Sequence, residues 1–239
     1  MAEPRFNLTA ARLAGPAAPE FAQLRQRIPH LHAAVRRFMP ADLEASILDL
    51  GAGWGALIHV ARGLGYRHVE GCDRALDRVK AAAALGIDGI IHADLFDVLA
   101  HQADASRDAV VSLDVIEHLT KAQLFDCAGE VWRVLRPSGR WIIHTVNAES
   151  PLFGRIRYGD FTHEQAFTRS SLAEVLASGG FSRLEFHEDA PVVHGALSAV
   201  RLVLWRMICL GLRWRIAVET GAYDRGAIYT QNLFAVAFK

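Results

Sequence analysis

LDLGAGWG (residues 48–55) places glycines at 51, 53 and 55 and a tryptophan at 54 directly behind a short apolar run. SILDL (46–50) has the length and apolar continuity of a strand buried on both faces, and a helix is predicted from Trp54. The same alternation continues outward through HVEGC (68–72), a helix from about Arg74, GII (89–91) and AVVSL (109–113). This is the rhythm of parallel strands joined by helical crossovers. Thr120 and Gln123 have capping-box spacing, and Leu124, Ala128, Val131, Trp132 and Leu135 form one apolar stripe that Pro137 and Gly139 end. RWIIHTV (140–146) follows as a strand, then a long connection (147–168), then a helix that Ser171 and Glu174 can cap and that Gly179 and Gly180 stop. With SRLEFHE (182–188) and NLFAVAF (232–238) the pattern predicts an α/β fold. It is a doubly wound, mostly parallel, seven-stranded sheet with an antiparallel last strand.

The organisation around that sheet is simple. Residues 1–40 read as an Ala/Pro-rich arm (1–20) followed by a helix over Phe21–Met39 that Pro29 breaks, and residues 41–239 read as one domain. Lys plus Arg and Asp plus Glu balance at 26 each, so no global field draws the chain to nucleic acid. Neither a basic stripe nor an Asn-Pro-Pro-Tyr-type motif for extruded bases is present. Cys72, Cys127 and Cys209 are odd in number and lack metal-ligand spacing, which predicts reduced thiols in a cytoplasmic setting, with neither disulfide nor zinc. Charges and prolines in residues 1–21 do not suit a secretory signal.

In a doubly wound sheet the first strand-to-helix turn brings backbone closest to a ligand, and glycines permit that approach while the helix start directs amides at it. Asp73, at the end of the second strand and about 20 residues on, stands where a carboxylate accepts from both ribose hydroxyls. A nucleoside is implied. GAGWGA (51–56) also satisfies the loose dinucleotide pattern, so a nicotinamide-dependent oxidoreductase competes. The further motifs HADLFD (92–97), LDVIEHL (113–119) and VLRPSGRWIIHTVN (134–147), taken in order with the glycine turn, resemble the class I S-adenosylmethionine-dependent methyltransferases, in their small-molecule and glycan O-methyltransferase branch. The resemblance implies S-adenosyl-L-methionine as cofactor. It places Asp49, Gly51, Gly53 and Gly55 around the methionine part, Asp73 on the ribose, Asp94 and Leu95 at the adenine, and Leu113 and Asp114 near the reacting centre. The structural alternatives are that Asp49 satisfies loop amides, that Asp94 caps a helix, and that Trp54 packs under the loop.

A sulfonium methyl is already activated, so the protein's task is alignment, exclusion of water and, for an oxygen acceptor, removal of a proton. Of the 11 histidines, His30, His32, His59, His68 and His101 read as surface or packing residues, and His144, inside a strand, as a buried hydrogen-bonded ring. His118 and His163 are the candidate catalytic residues, with Asp160 and Glu164 near His163. The connection 147–168 is long enough to be a lid or binding loop, and Arg155, Arg157, Tyr158 and Asp160 suit a small polar, sugar or glycan acceptor. A metal site is not expected, because acidic and histidine residues are not grouped in sequence. An Arg-studded apolar segment (195–215) reads as a packing helix before the last strand. Its second reading is a peripheral helix at the inner face of a membrane or on a lipid-linked acceptor. A scaffold that binds cofactor without turnover is the remaining functional alternative.

Overall fold

A computed structural model describes residues 21–239, with side chains from Ile28 onward; the arm at 1–20 lies outside the described residues. The chain divides into two compact units, residues 1–102 and 103–239. Seven strands form the mixed sheet expected of the doubly wound class.

The first unit opens with helix α1 (Phe21–Phe38), which runs through Pro29 as a single helix. The expected break is therefore corrected. A proline forgoes one backbone bond, but Leu31, Val35 and Phe38 are buried along one face, and burial of such side chains at about 1.5–3 kcal/mol each outweighs that loss. Strands β1 (Ser46–Leu50), β2 (His68–Asp73) and β3 (Ile90–His92) lie in the order β3-β2-β1, all parallel, with helices α2 (Ala56–Gly63), α3 (Leu76–Ala84) and α4 (Leu95–Ala100) as crossovers. Helix α2 starts two residues later than predicted, because Gly53 and Gly55 hold left-handed angles that no helical turn accepts. Ile47, Leu50 and Ile58 are wholly buried, which explains the unbroken apolar run that announced β1.

The second unit orders its strands β4-β5-β7-β6. Strand β4 (Arg107–Leu113) pairs parallel with β5 (Leu135–Val146), and β7 (Asn232–Phe238) runs antiparallel to both β5 and β6 (Arg183–Glu188). Between them lie a one-turn 3-10 helix (Ile116–His118) and helices α5 (Lys121–Val134), α6 (Phe153–Arg157), α7 (Arg169–Ser178) and α8 (Ala196–Thr220). Trp141, Ile143, Leu172, Leu176 and Leu233 are buried to within 2 % of their surface, and the Trp141 indole donates to Ser112 Oγ at 2.9 Å, satisfying its one polar group.

Four local readings shift. The extended run of β5 begins at Leu135, and its register jumps from Arg107↔Leu135 to Ala109↔Arg140; the intervening RPSG, with Ser138 at φ 66°, is a bulge and not a helix end followed by a fresh strand. Helix α7 is capped by Thr168, which accepts from Ser171 N at 3.1 Å while Ser171 Oγ accepts from Thr168 N at 3.0 Å, so the cap lies three residues before the predicted one. The connection 147–168 contains the short α6. Helix α8 extends to Thr220, where Gly221 at φ 73° provides the left-handed stop.

The capping box of α5 is present as read: Thr120 Oγ1 accepts from Gln123 N at 3.4 Å and Gln123 Oε1 accepts from Thr120 N at 3.0 Å. Thr120→Ala is expected to lower stability by about 1 kcal/mol, seen as a reduced urea midpoint at unchanged m-value.

Candidate functional site

In the first unit the glycine turn is tied to β2 at two points. Ala52 N donates to Cys72 O at 2.8 Å, and Gly53 N donates to Asp73 Oδ2 at 2.9 Å. The other Asp73 oxygen accepts from Ala75 N at 2.8 Å, which opens the turn into α3. Asp49 and Asp73 are both buried, at the carboxyl ends of β1 and β2. Burial first, and then the negative charges of Asp49 and Asp73, push the Cys72 thiol up to about 12, opposed by a hydrogen bond from the Gly51 backbone. Cys72 is therefore a neutral wall of this turn and not a nucleophile.

Gly51, Gly53 and Gly55 all hold positive φ, at 73°, 57° and 77°. They differ in surroundings. A β-carbon at Gly55 would stand 2.6 Å from Ile87 Cγ2 and 2.8 Å from Ile90 Cδ1, whereas one at Gly53 would meet nothing within 4 Å. Gly55 is thus required by packing as well as by backbone angle, while the open space at Gly53 leaves room beside bare main chain. Trp54 lies half-buried with the Arg78 guanidinium 5.4 Å from its ring centre, and Arg78 Nη1 is 3.9 Å from Asp73 Oδ2. Asp94 acts as the N-cap of α4, accepting from Phe96 N at 2.9 Å, so its structural alternative is realised; it is exposed, with Leu95 half-buried beside it.

In the second unit, β4 ends at Leu113 and Asp114, both half-buried, and Asp114 holds a left-handed φ of 56°. Such a conformation costs free energy in a residue with a β-carbon and persists where surroundings enforce it. Here the partner is His144, whose Nδ1 lies 2.6 Å from Asp114 Oδ1 while its Nε2 lies 3.2 Å from Asp189 Oδ2. Burial opposes charge on this imidazole, but the two carboxylates outweigh it and raise His144 to about 10. The predicted buried ring is therefore a buried cation between two acids. Glu117, three residues beyond Asp114, is also buried and accepts from Thr145 Oγ1 at 3.0 Å. Burial and then the Asp114 charge hold its carboxyl well above the ordinary range.

The connection 147–168 is pinned at both ends and in the middle. Asn147, fully buried, donates from Nδ2 to Ile228 O and Thr230 O at 2.8 Å each, and Ala148 N donates to Phe167 O at 2.8 Å. The amides of Glu164 and Gln165 both donate to Glu117 O, at 2.7 and 3.0 Å. This brings His163 against His118, with ring centres 4.7 Å apart in an edge-to-face arrangement. Asp160 Oδ2 stands 3.7 Å from His163 Nε2, and Asp160 Oδ1 accepts from Thr162 N at 3.0 Å and Thr162 Oγ1 at 2.7 Å. His163 Nδ1 lies 3.1 Å from Ile156 O, and His118 Nδ1 lies 3.1 Å from Thr162 O. A carbonyl only accepts, so the neutral form of each ring carries its proton on Nδ1 and presents Nε2 as acceptor.

One donor atom from each of His118, Asp160 and His163 lies within 4.8 Å of the others. This corrects the expectation that histidine and acidic residues stay ungrouped: 44 residues separate His118 from Thr162, and only the folding of the connection brings them together. Of the other residues expected at an acceptor, Arg157 Nη2 donates to Glu164 O at 2.9 Å and so braces the loop, while Arg155 and Tyr158 are exposed on α6 and at its end. Glu117, Thr162, Asp189 and Asn147 were missed by sequence reasoning. An acid between Ile116 and Leu119, both buried, was a readable signal for Glu117, whereas nothing local marks Asp189.

Residues 48–143 match the family model described as a methyltransferase domain. Over this stretch the chain is similar to a methyltransferase domain, and its fold is that of the class I S-adenosylmethionine-dependent methyltransferases. The matched stretch begins in β1 and ends in β5, so it contains the glycine turn, Asp73, Asp94 and Asp114. A curated relative is the ubiquinone biosynthesis O-methyltransferase of Maricaulis maris (strain MCS10), 33% identical over 153 residues, covering 57% of this chain and 58% of that protein. The chain thus spans less than two thirds of the curated relatives it matches. Among solved structures, an S-adenosylmethionine-dependent methyltransferase from Archaeoglobus fulgidus superposes with a TM-score of 0.62 at 19% identity, over 97% of this chain and 98% of that one. A phosphoethanolamine N-methyltransferase 2 from Haemonchus contortus, in complex with S-adenosyl-L-methionine, superposes at 0.59 with 18% identity, over 87% and 52%. These likenesses establish the fold of the methyltransferase domain. The methyltransferase match favours the S-adenosylmethionine reading of the glycine turn over the nicotinamide dinucleotide reading.

Both buried ionisable groups, Glu117 and His144, bind protons more tightly folded than unfolded. Their stabilisation is therefore complete below the unfolded values, near 4.3 and 6.5, and is lost as pH rises through the folded ones. Glu117→Gln keeps an acceptor for Thr145 and removes one titration. Wild-type stability to urea should fall from pH 5 upward, and the variant should fall less steeply over the part of that range below neutrality.

Proposed function

We propose that the protein transfers the methyl group of S-adenosylmethionine to an oxygen of a small polar acceptor. The observation that carries this reading is the glycine turn held on Asp73 by its own backbone amide. Each Asp73 oxygen uses one lone pair on a loop amide and keeps a second, so the carboxylate can accept from the two adjacent hydroxyls of a ribose without releasing the loop. Asp49 and the bare backbone of Gly51, Gly53 and Gly55 are assigned to the methionine part, Asp94 and Leu95 to the adenine, and Leu113 and Asp114 to the surroundings of the reacting carbon. The cofactor supplies an electrophilic methyl on a sulfonium, so no covalent intermediate with the protein is required.

The chain's remaining work is at the acceptor. His163 Nε2 would accept the proton of an acceptor hydroxyl bound beside it. Asp160, within reach of the same ring, favours the imidazolium that results, and Ile156 O holds the tautomer. His118 packs edge-on against His163, and Thr162, which faces His118 Nδ1, donates its hydroxyl to the Asp160 that stands beside His163, which fixes the ring plane. A positioned base of this type contributes about 10²- to 10⁴-fold, and holding the reactants in line contributes about 7–11 kcal/mol. Arg155, Tyr158 and Asp160 favour a sugar or glycan hydroxyl. The O-methyltransferase name of the Maricaulis maris relative favours oxygen as the methylated atom, and its place in ubiquinone biosynthesis makes an acceptor of that kind the second reading.

The test combines calorimetry with a radiolabelled methyl-transfer screen over sugar, glycan and ubiquinone-type acceptors. Asp73→Ala should weaken S-adenosylhomocysteine binding at least tenfold. His163→Ala should leave that affinity within twofold and lower kcat by about 10²-fold or more. An Asp73 variant that binds as tightly as wild type overturns the cofactor assignment, and an unchanged kcat in the His163 variant removes its role as base.

A further inference from the structure

Helix α8 (Ala196–Thr220) rises over about 37 Å, and it touches the second unit by a narrow stripe only. Ser198 and Cys209 are its buried residues, and Trp205 and Leu212 pack with Cys209 against Ala227 and Tyr229. At 100° per residue, the opposite side carries Val200, Val203, Met207, Leu210, Trp214 and Val218, spaced three and four apart and 48–84 % exposed. Leu204 and Ile208, each 54 % exposed, widen this side toward one flank. A contiguous apolar face of this extent, still largely exposed although the Tyr223 ring meets Trp214 edge-on with centres 5.8 Å apart, marks an interaction surface and not ordinary surface scatter.

The charges beside it identify the occupant. Between Ala196 and Val218 the helix carries Arg201, Arg206, Arg213 and Arg215 and no acid; Glu219 is the first. Arg201 and Arg215 are exposed on one flank, and Arg206 lies on the other, with Nη1 2.8 Å from Glu188 Oε1. Two copies meeting through this face would set arginine rims against each other with no carboxylates on the helix to receive them. Among the described residues no helix is long and apolar enough to cross a membrane, so the face cannot be explained as a span. An apolar face between cationic rims is instead the arrangement of a helix lying in the interfacial plane, with aliphatic side chains and an indole below the headgroups and guanidinium groups among lipid phosphates.

We propose that α8 docks the protein on an anionic lipid bilayer surface through the Val200–Val218 face. The helix lies parallel to the membrane, with its buried stripe still packed on the second unit. This surface is separate from the residues assigned to cofactor and acceptor, so its test is independent of the reading of the active site.

The experiment is co-sedimentation of the full chain, at low salt, with vesicles of phosphatidylcholine alone and of equimolar phosphatidylcholine and phosphatidylglycerol. Pelleting is expected with the mixed vesicles only, and it should weaken as salt is added. Met207→Glu/Trp214→Glu should abolish it, while Arg201→Gln/Arg215→Gln should weaken it about 25-fold, at about fivefold per charge. Both pairs of substitutions lie on the exposed side, and an unchanged circular dichroism spectrum and urea midpoint verify that each variant is folded. Failure of the wild type to pellet with the mixed vesicles would falsify the proposal. So would a concentration-dependent dimer, seen by light scattering, that Met207→Glu/Trp214→Glu dissolves, since that outcome makes a second copy the occupant.

Discussion

The hydrogen bond from Gly53 N to the buried carboxylate of Asp73 is the constraint on which the first unit's chemistry depends. A turn of three left-handed glycines has little conformational preference of its own, and glycine loses more freedom on ordering than any other residue. Asp73 supplies the missing preference by holding one end of the turn on β2 and, through Ala75 N, opening the next crossover from the same side chain. Burial of that carboxylate is tolerable because both oxygens are satisfied by amides. The same satisfaction leaves it acceptor capacity for a diol. A carboxylate that shapes the loop in this way would need no rearrangement to accept from a diol, which would lower the cost of binding one.

The second unit uses buried charge differently. His144 sits between Asp114 and Asp189 as a cation whose desolvation is offset by two carboxylates, one of them on Asp114 in its left-handed conformation. Glu117 is protonated more readily than an exposed acid and still serves the structure, through Thr145 at its side chain and through the Glu164 and Gln165 amides at its carbonyl. One short segment after β4 therefore fixes the strained aspartate and anchors the long connection.

That anchoring explains why the connection is well suited to chemistry. A loop of this length is expected to be mobile unless its backbone groups are satisfied. Asn147 closes one end on the 228–230 segment, the Phe167 backbone closes the other, and Glu117 O holds the middle. His163, Asp160 and Thr162 are consequently presented from loop backbone with the positional definition of a regular element. Helix α8 stands apart from this design, since most of its apolar surface is not used for packing within the described residues.

The sequence by itself determined most of the elements and the glycine turn, because both are encoded locally. Continuous apolar runs define parallel strands, glycines at 51, 53 and 55 define a turn that other residues cannot form, and the distance from that turn to Asp73 is set by one crossover. The Thr120–Gln123 box was legible for the same reason, since its partners lie within one helical turn. Only the tertiary structure decided that Pro29 sits inside one helix, that Thr168 caps α7, and that RPSG is a bulge in β5, because packing and strand pairing outweigh local preference there. It alone brought His118, Asp160 and His163 together and set His144, expected only as a buried hydrogen-bonded ring, between two carboxylates that favour its charged form. These depend on contacts between residues 30 to 45 positions apart, and electrostatic free energy follows distance and burial, neither of which is written in the order of the chain.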